Sequence, residues 1–161
     1  MNSKKKDKDT FQELAEKLVI YQLRSNWLAI SKVYNELASE QDGTMSMAFV
    51  LLTIHAEKGT PVTKIAPRMG MEPNSLSRIL KSMEKKGLLY RRKSRSDKRK
   101  VYMMLTDHGN RMREVALNAV YGLENAIQGS VSESDLKGFF TVMQGIPNAL
   151  KVLSAESSSQ E

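Results

Sequence analysis

At 161 residues the chain has room for one ordinary domain, or for a small domain with additional helices used for association. It contains no cysteine, which excludes disulfides, thiolate metal sites and thiol redox switching, and no apolar run reaches the roughly 18–20 residues that a membrane span requires. The formal net charge of +7 is unevenly placed: residues 62–100 hold 13 Lys and Arg against three acids, a net of +10 that leaves −3 for the rest of the chain.

Residues 1–9, MNSKKKDKD, form a basic arm expected to be disordered. No apolar stretch follows its charges as it would in a secretory leader, so the chain is expected to stay in the cytoplasm. From Phe11 to about Leu37, Phe11, Leu14, Leu18, Tyr21, Leu28 and Val33 recur at mostly helical spacing without Pro or Gly, which predicts one long helix within a segment of residues 10–43. A second helix follows, with Thr44 or Ser46 as N-cap, an apolar block at Phe49, Val50, Leu51, Leu52 and Ile54, and Gly59 as its stop. That block is apolar on too many faces for a surface helix.

Thr60 as N-cap and Pro61 at the first helical position open a short helix carrying Val62, Ile65, Ala66 and Met69, which ends at Gly70. Pro73 opens the next, with Leu76, Ile79, Leu80 and Met83 facing inward and Gly87 as its stop. Two short helices about a Gly-containing turn form a helix-turn-helix. The outer face of the second helix carries Asn74, Ser75, Ser77, Arg78 and Lys81, residue types that reach base edges and phosphates, with no acid before Glu84.

Two strand-like runs, LLYRR and KVYMMLT, then bracket a basic turn. Residues 91–100, RRKSRSDKRK, hold seven basic residues and one acid, so the hairpin is a phosphate-seeking wing on the helix-turn-helix. Its candidate contacts are Arg95, Asp97, Lys98 and Arg99, with Arg99 reaching a minor groove. Asp97 serves as its orienting partner, as a turn residue, or as both. After the wing, Thr106 caps a helix with Met112, Ala116, Ala119, Val120, Leu123 and Ile127 on one stripe, ending at Gly129. Ser132 with Asp135 reads as a shortened capping box for a last helix bearing Leu136, Phe140, Met143, Leu150 and Leu153, in which Pro147 predicts a kink. Residues 154–161 read as a disordered tail. These terminal stripes are more apolar than a small winged-helix core can cover, and a partner chain resolves the excess.

The run SLSRILKSMEKKGLLYRR, the triplet Asp97-Lys98-Arg99 at the wing tip and LTDHG at residues 105–109 resemble, in register, the MarR (multiple antibiotic resistance regulator) family of transcription factors. The order of elements extends the resemblance from about residue 10 to 153. Two departures stand out. Glu72 replaces a small capping residue, so the start of the recognition helix is expected to slip by a residue, and Lys98 keeps the charge of the usual Arg without its bidentate geometry.

The fold class is therefore mainly α with a small β-wing: a winged helix-turn-helix over residues 44–106, flanked by helices over 10–43 and 107–153. The resemblance implies that these terminal helices form an intertwined two-fold dimer on a pseudo-palindromic DNA duplex. It also implies repression released by a small aromatic effector, for which Trp27, Tyr34 and His55 are the pocket candidates. Neither cofactor nor metal is implied. A winged helix without ligand response, or one used for RNA or protein binding, stays open as an alternative. Catalysis finds no support: there is no nucleophile elbow, P-loop or metal spacing, and the two histidines, His55 and His108, fall in different helices.

Overall fold

The computed structural model describes residues 11–94, 96–97 and 99–158, and its first element corrects the sequence reading. Residues 11–15 are helical, but Leu18 is extended, at φ −89° and ψ 126°, before helix α1 runs over Val19–Ser39. Neither Pro nor Gly makes the break. Two glutamines span it instead: Gln22 Nε2 donates to the Glu16 carbonyl at 2.7 Å and Gln12 Nε2 to the Tyr21 hydroxyl at 3.1 Å. Helix α1 buries none of its residues and leaves Trp27, Leu28, Val33 and Leu37 exposed. It ends where expected: Asp42 takes a left-handed backbone, φ 52°, and Gly43 N–H returns to the Ala38 carbonyl at 2.9 Å.

Helix α2, Met45–Thr53, takes Thr44 as its cap, the hydroxyl accepting from Met47 N–H at 3.3 Å. Its end departs from expectation, because Ile54 is already extended and Gly59 lies beyond the helix. The cause is Thr60. Rather than capping a helix, its hydroxyl accepts from His55 N–H at 3.0 Å and donates to the Thr53 carbonyl at 3.4 Å, which closes the end of α2. Thr60 is only 2% exposed and forms, with Pro61, a two-residue strand β1.

Helix α3, Val62–Met69, starts after Pro61 and stops at Gly70, whose φ of 60° is the left-handed cap that glycine accepts without strain. Helix α4, Pro73–Lys85, starts at Pro73 itself. The extended Glu72 offers no side-chain cap, yet the start has not slipped, because the fixed φ of proline at the first helical position sets it. Strands β2, Leu89–Lys93, and β3, Val101–Leu105, form an antiparallel hairpin with Leu89 opposite Leu105 and Arg92 opposite Tyr102. Strand β1 pairs with the other edge of β3, giving the order β1-β3-β2. Val50, Leu51, Ile54, Ile65, Leu76, Leu80, Met83, Leu89, Met103 and Leu105 make the core between these helices and the sheet.

Thr106 caps helix α5, Asp107–Gln128, by accepting from Gly109 N–H at 3.0 Å. The same hydroxyl donates back to the Gly87 carbonyl at 2.6 Å, beyond the end of α4. The chain divides into two compact units with the boundary after Ala119, so α5 begins in one and ends in the other. The second unit holds the end of α5 and helix α6, Glu133–Ser158. Its start is the reciprocal cap read from the sequence: Asp135 Oδ2 accepts from Ser132 N–H at 3.1 Å, and Ser132 Oγ accepts from Asp135 N–H at 3.2 Å. The hydroxyl of Ser132, and then its N–H, hold the Asp135 carboxyl below the usual carboxylate range.

Helix α6 continues through Pro147 and past residue 153. Residues 154–158 are helical rather than a tail, and Ser154 and Ser157 return their hydroxyls to the carbonyls of Leu150 and Leu153, each at 3.0 Å. Between the end of α5 and the start of α6 lies an open groove of about 450 Å³ lined by Ile127, Val131, Leu136, Phe139 and Phe140, together with Glu124 and Asp135. Further along α6, Leu150, Val152 and Leu153 are about 60% exposed. The basic arm at residues 1–9 and the final residues 159–161 lie outside the described residues.

Candidate nucleic-acid interface

Helical spacing places Leu76, Leu80 and Met83 of α4 in the core, which turns the opposite face outward. Asn74, Ser75, Ser77, Arg78 and Lys81 are all exposed on that face. Ser77 Oγ donates to the Pro73 carbonyl at 2.9 Å, which commits its proton and leaves its lone pairs to accept. Lys64 and Arg68 of α3 are exposed as well, and sequence reasoning left them out. Their signal was available: both lie on the polar face of an eight-residue helix that directly precedes the recognition turn. Among the described residues, Lys64, Arg68, Arg78, Lys81 and Lys85 make no ion pair.

The wing is closed by Ser94 N–H donating to the Lys100 carbonyl and Lys100 N–H to the Asp97 carbonyl, each at 2.9 Å. Asp97 Oδ1 accepts from Arg99 N–H at 3.0 Å and lies 3.5 Å from Arg99 Nε, while Oδ2 is 3.8 Å from Lys100 Nζ. The carboxylate thus braces the turn and at the same time leans on the Arg99 side chain, which stays 93% exposed. Arg95 and Lys98 lie outside the described residues.

Besides Arg99 and Lys100, two more of the seven basic residues have internal partners. Arg91 Nε donates to Glu84 Oε1 at 2.9 Å, joining the wing to the last turn of α4, and Arg92 Nη2 donates to the Lys58 carbonyl at 3.2 Å, joining it to the turn before β1. Outside the wing, Lys86 pairs with the carboxylate of Asp42 and donates to its carbonyl at 2.9 Å. Such exposed pairs contribute about 0.2–1 kcal/mol each, so their weight lies in geometry more than in stability.

The effector candidates part company. Trp27 and Tyr34, one heptad apart on α1, both meet Phe49 of α2: the indole stacks at 6.3 Å between centroids, and the phenol ring stands edge-on at 6.2 Å. Trp27 remains 49% exposed. His55 stands instead in the turn after α2, where its Nδ1 accepts from the N–H groups of Glu57 and Lys58. His108 is exposed in the first turn of α5. No group of three metal-ligating side chains occurs among the described residues, and none of their helices is long and apolar enough to cross a membrane.

Comparison with known proteins places this surface in context. The model of the MarR family matches residues 44–101, a stretch that runs from the cap of α2 to the first residue of β3. The HTH-type transcriptional regulator SarZ of Staphylococcus saprophyticus is 30% identical over 109 residues, 67% of this chain and 75% of that protein. The HTH-type transcriptional regulator TtmR of Methylorubrum extorquens is 31% identical over 85 residues, which span 53% of this chain but only 44% of TtmR. Among solved structures, that of S. aureus MepR in complex with DNA superposes with a TM-score of 0.74 at 19% identity, covering 82% of this chain and 98% of MepR.

Proposed function

The chain belongs to the MarR family, and on that premise we propose that it regulates transcription by binding duplex DNA as a two-fold dimer, with α4 in the major groove and the β2–β3 wing over the flanking minor groove. The observation that carries this reading is the outer face of α4. It is polar and basic, its cations make no ion pair among the described residues, and it is held rigid by a buried inner face of Leu76, Leu80 and Met83. A two-fold dimer sets two such helices about 34 Å apart, in successive major grooves on one side of the duplex. In this arrangement Arg78 and Lys81 hold phosphates or a guanine edge, Asn74, Ser75 and Ser77 read or position, and Arg99 enters the minor groove. The uncovered apolar side chains of α1 and α6, together with the groove at Phe139 and Phe140, support a second copy as the partner.

Selection of DNA by the purified protein from random duplexes should yield an inverted repeat, and light scattering at micromolar concentration should return a dimer. A monomer, or a pool without enrichment, overturns the reading, and preferential capture of structured RNA would favour the alternative use of the basic face.

The effector part of the proposal rests on Trp27, Phe49 and Tyr34, an aromatic surface at the junction of α1 and α2. A flat aromatic ligand stacking there needs to favour the DNA-incompetent dimer by only a few kcal/mol, since about 1.4 kcal/mol of differential affinity is tenfold in population. Trp27 is the one tryptophan of the chain and serves as its own probe. Aromatic carboxylic acids should quench its fluorescence and release DNA over the same concentration range. Release without any change in Trp27 emission would move the effector site elsewhere, and no response to either readout would leave a constitutive DNA binder.

A further inference from the structure

The turn that links α2 to β1 is built around His55. The imidazole Nδ1 accepts from Glu57 N–H at 3.3 Å and Lys58 N–H at 3.2 Å, and the His55 carbonyl accepts from Gly59 N–H at 2.9 Å. The ring thereby supplies the acceptor that an Asn or Asp side chain supplies in other turns, two and three residues ahead of itself. Because Nδ1 accepts, the ring proton resides on Nε2. The far side of the turn rests on the sheet. Gly59 is buried at φ 70°, and a Cβ there would come within 2.6 Å of the Met103 carbonyl oxygen of β3. Next to it, the Lys58 carbonyl receives Arg92 Nη2 from β2 at 3.2 Å. Arg92 sits two residues before Ser94, where the wing closes.

We infer that His55 is a positioning residue for the wing: by fixing the 55–59 turn it aims the Lys58 carbonyl at Arg92 and so sets the angle at which the β2–β3 hairpin leaves the sheet. The inference rests on the reading that the wing touches DNA. It also gives His55 work outside an effector pocket. Without the imidazole, the amides of Glu57 and Lys58 turn to water, the carbonyl loses its direction, and an exposed arginine is free to leave it. Among the described residues strand β2 pairs only with β3, so its outer edge has no ladder to hold the wing. A further side-chain restraint is Arg91, which joins the same strand to Glu84 of α4. The two bonds brace the wing from opposite ends of the reading module.

The test uses the full chain and a duplex that the wild-type protein selects from a random pool. Hydroxyl-radical cleavage reports the wing at the flanking minor grooves, and methylation of guanine N7 reports α4 in the major groove. His55→Ala removes the acceptor. His55→Asn returns one, since its Oδ1 stands the same number of bonds from the backbone as Nδ1. His55→Ala should lose flanking protection and bind about threefold to tenfold more weakly, with guanine protection unchanged, and amide exchange at Glu57 and Lys58 in the free protein should quicken.

His55→Asn should restore all of these, and combining His55→Ala with Arg92→Ala should lose no more than Arg92→Ala alone. The proposal fails if His55→Asn behaves as His55→Ala, if both grooves lose protection together, or if the two alanine changes are additive. A wild-type protein that leaves every duplex unbound overturns the DNA-binding reading and this inference with it, whereas the other failures leave DNA binding in place.

Discussion

Affinity for a selected duplex should fall by about a thousandfold to a hundred-thousandfold as salt rises from about 50 to about 200 mM, on six to ten phosphate contacts per dimer. Each contact releases condensed counterions, and log K should decline with log salt at a slope of about −0.9 per phosphate neutralised. The charge map can supply that number without every cation taking part. Residues 62–100 carry 13 basic side chains, but Arg91, Arg92 and Lys86 are tied to Glu84, Lys58 and Asp42, and Lys100 leans on Asp97. Lys64, Arg68, Arg78, Lys81 and Lys85 are exposed and unpaired among the described residues, and two copies of a part of this set account for six to ten contacts. Fluorescence anisotropy titrations at four or five salt concentrations measure the slope. An affinity indifferent to salt would contradict a phosphate-anchored mode.

Replacing Arg78 with alanine should weaken specific binding by about 1–3 kcal/mol and relax the preference at one base position in each half-site. The residue stands on the exposed face of α4 with its backbone held by Leu76 and Leu80 on the buried face, so the change removes a contact and leaves its support intact. Arg99→Ala should have an effect of the same order at the flanks, because Asp97 holds its backbone N–H and lies beside its Nε. Lys86→Ala is the control. Its ammonium is committed to Asp42 at the end of α1, so binding should weaken by less and equally across sequences. A larger loss of specific binding in Lys86→Ala than in Arg78→Ala would show that α4 is not the reading helix.

What the sequence makes legible here depends on whether the deciding interaction is local. Pro73, Gly70 and Gly87 act through their own backbone preferences, and α3 and α4 begin or end at them. The inward set Leu76, Leu80 and Met83 follows from helical period alone. Thr60 reads as a helix cap because its neighbours look like a helix start, whereas its strand state depends on Met103 far along the chain. The break at Leu18 rests on two glutamine side chains that no pattern of apolar residues reveals. At the interface the outward residue types on α4 could be read directly. The internal pairing of Arg91 and Arg92 could not, since it requires knowing which carboxylate and which carbonyl the hairpin folds back upon. The same holds for Phe49, which joins Trp27 and Tyr34 only once α1 and α2 are packed together.

The joint at Thr106 decides where this protein can be divided and recombined. Its hydroxyl is bonded both to Gly87 behind the recognition helix and to Gly109 N–H in the first turn of α5. Gly109 lies so close to the Leu88 carbonyl that a Cβ would overlap it. A chimera spliced at the end of the hairpin, where the strand signal stops, would split one fastening between two parents and set a foreign first turn against Leu88. A transplant that carries residues 44–112 as a block keeps the fastening, and includes Met112, which packs on the core from α5. The separable reading head therefore ends more than a helical turn later than its last strand.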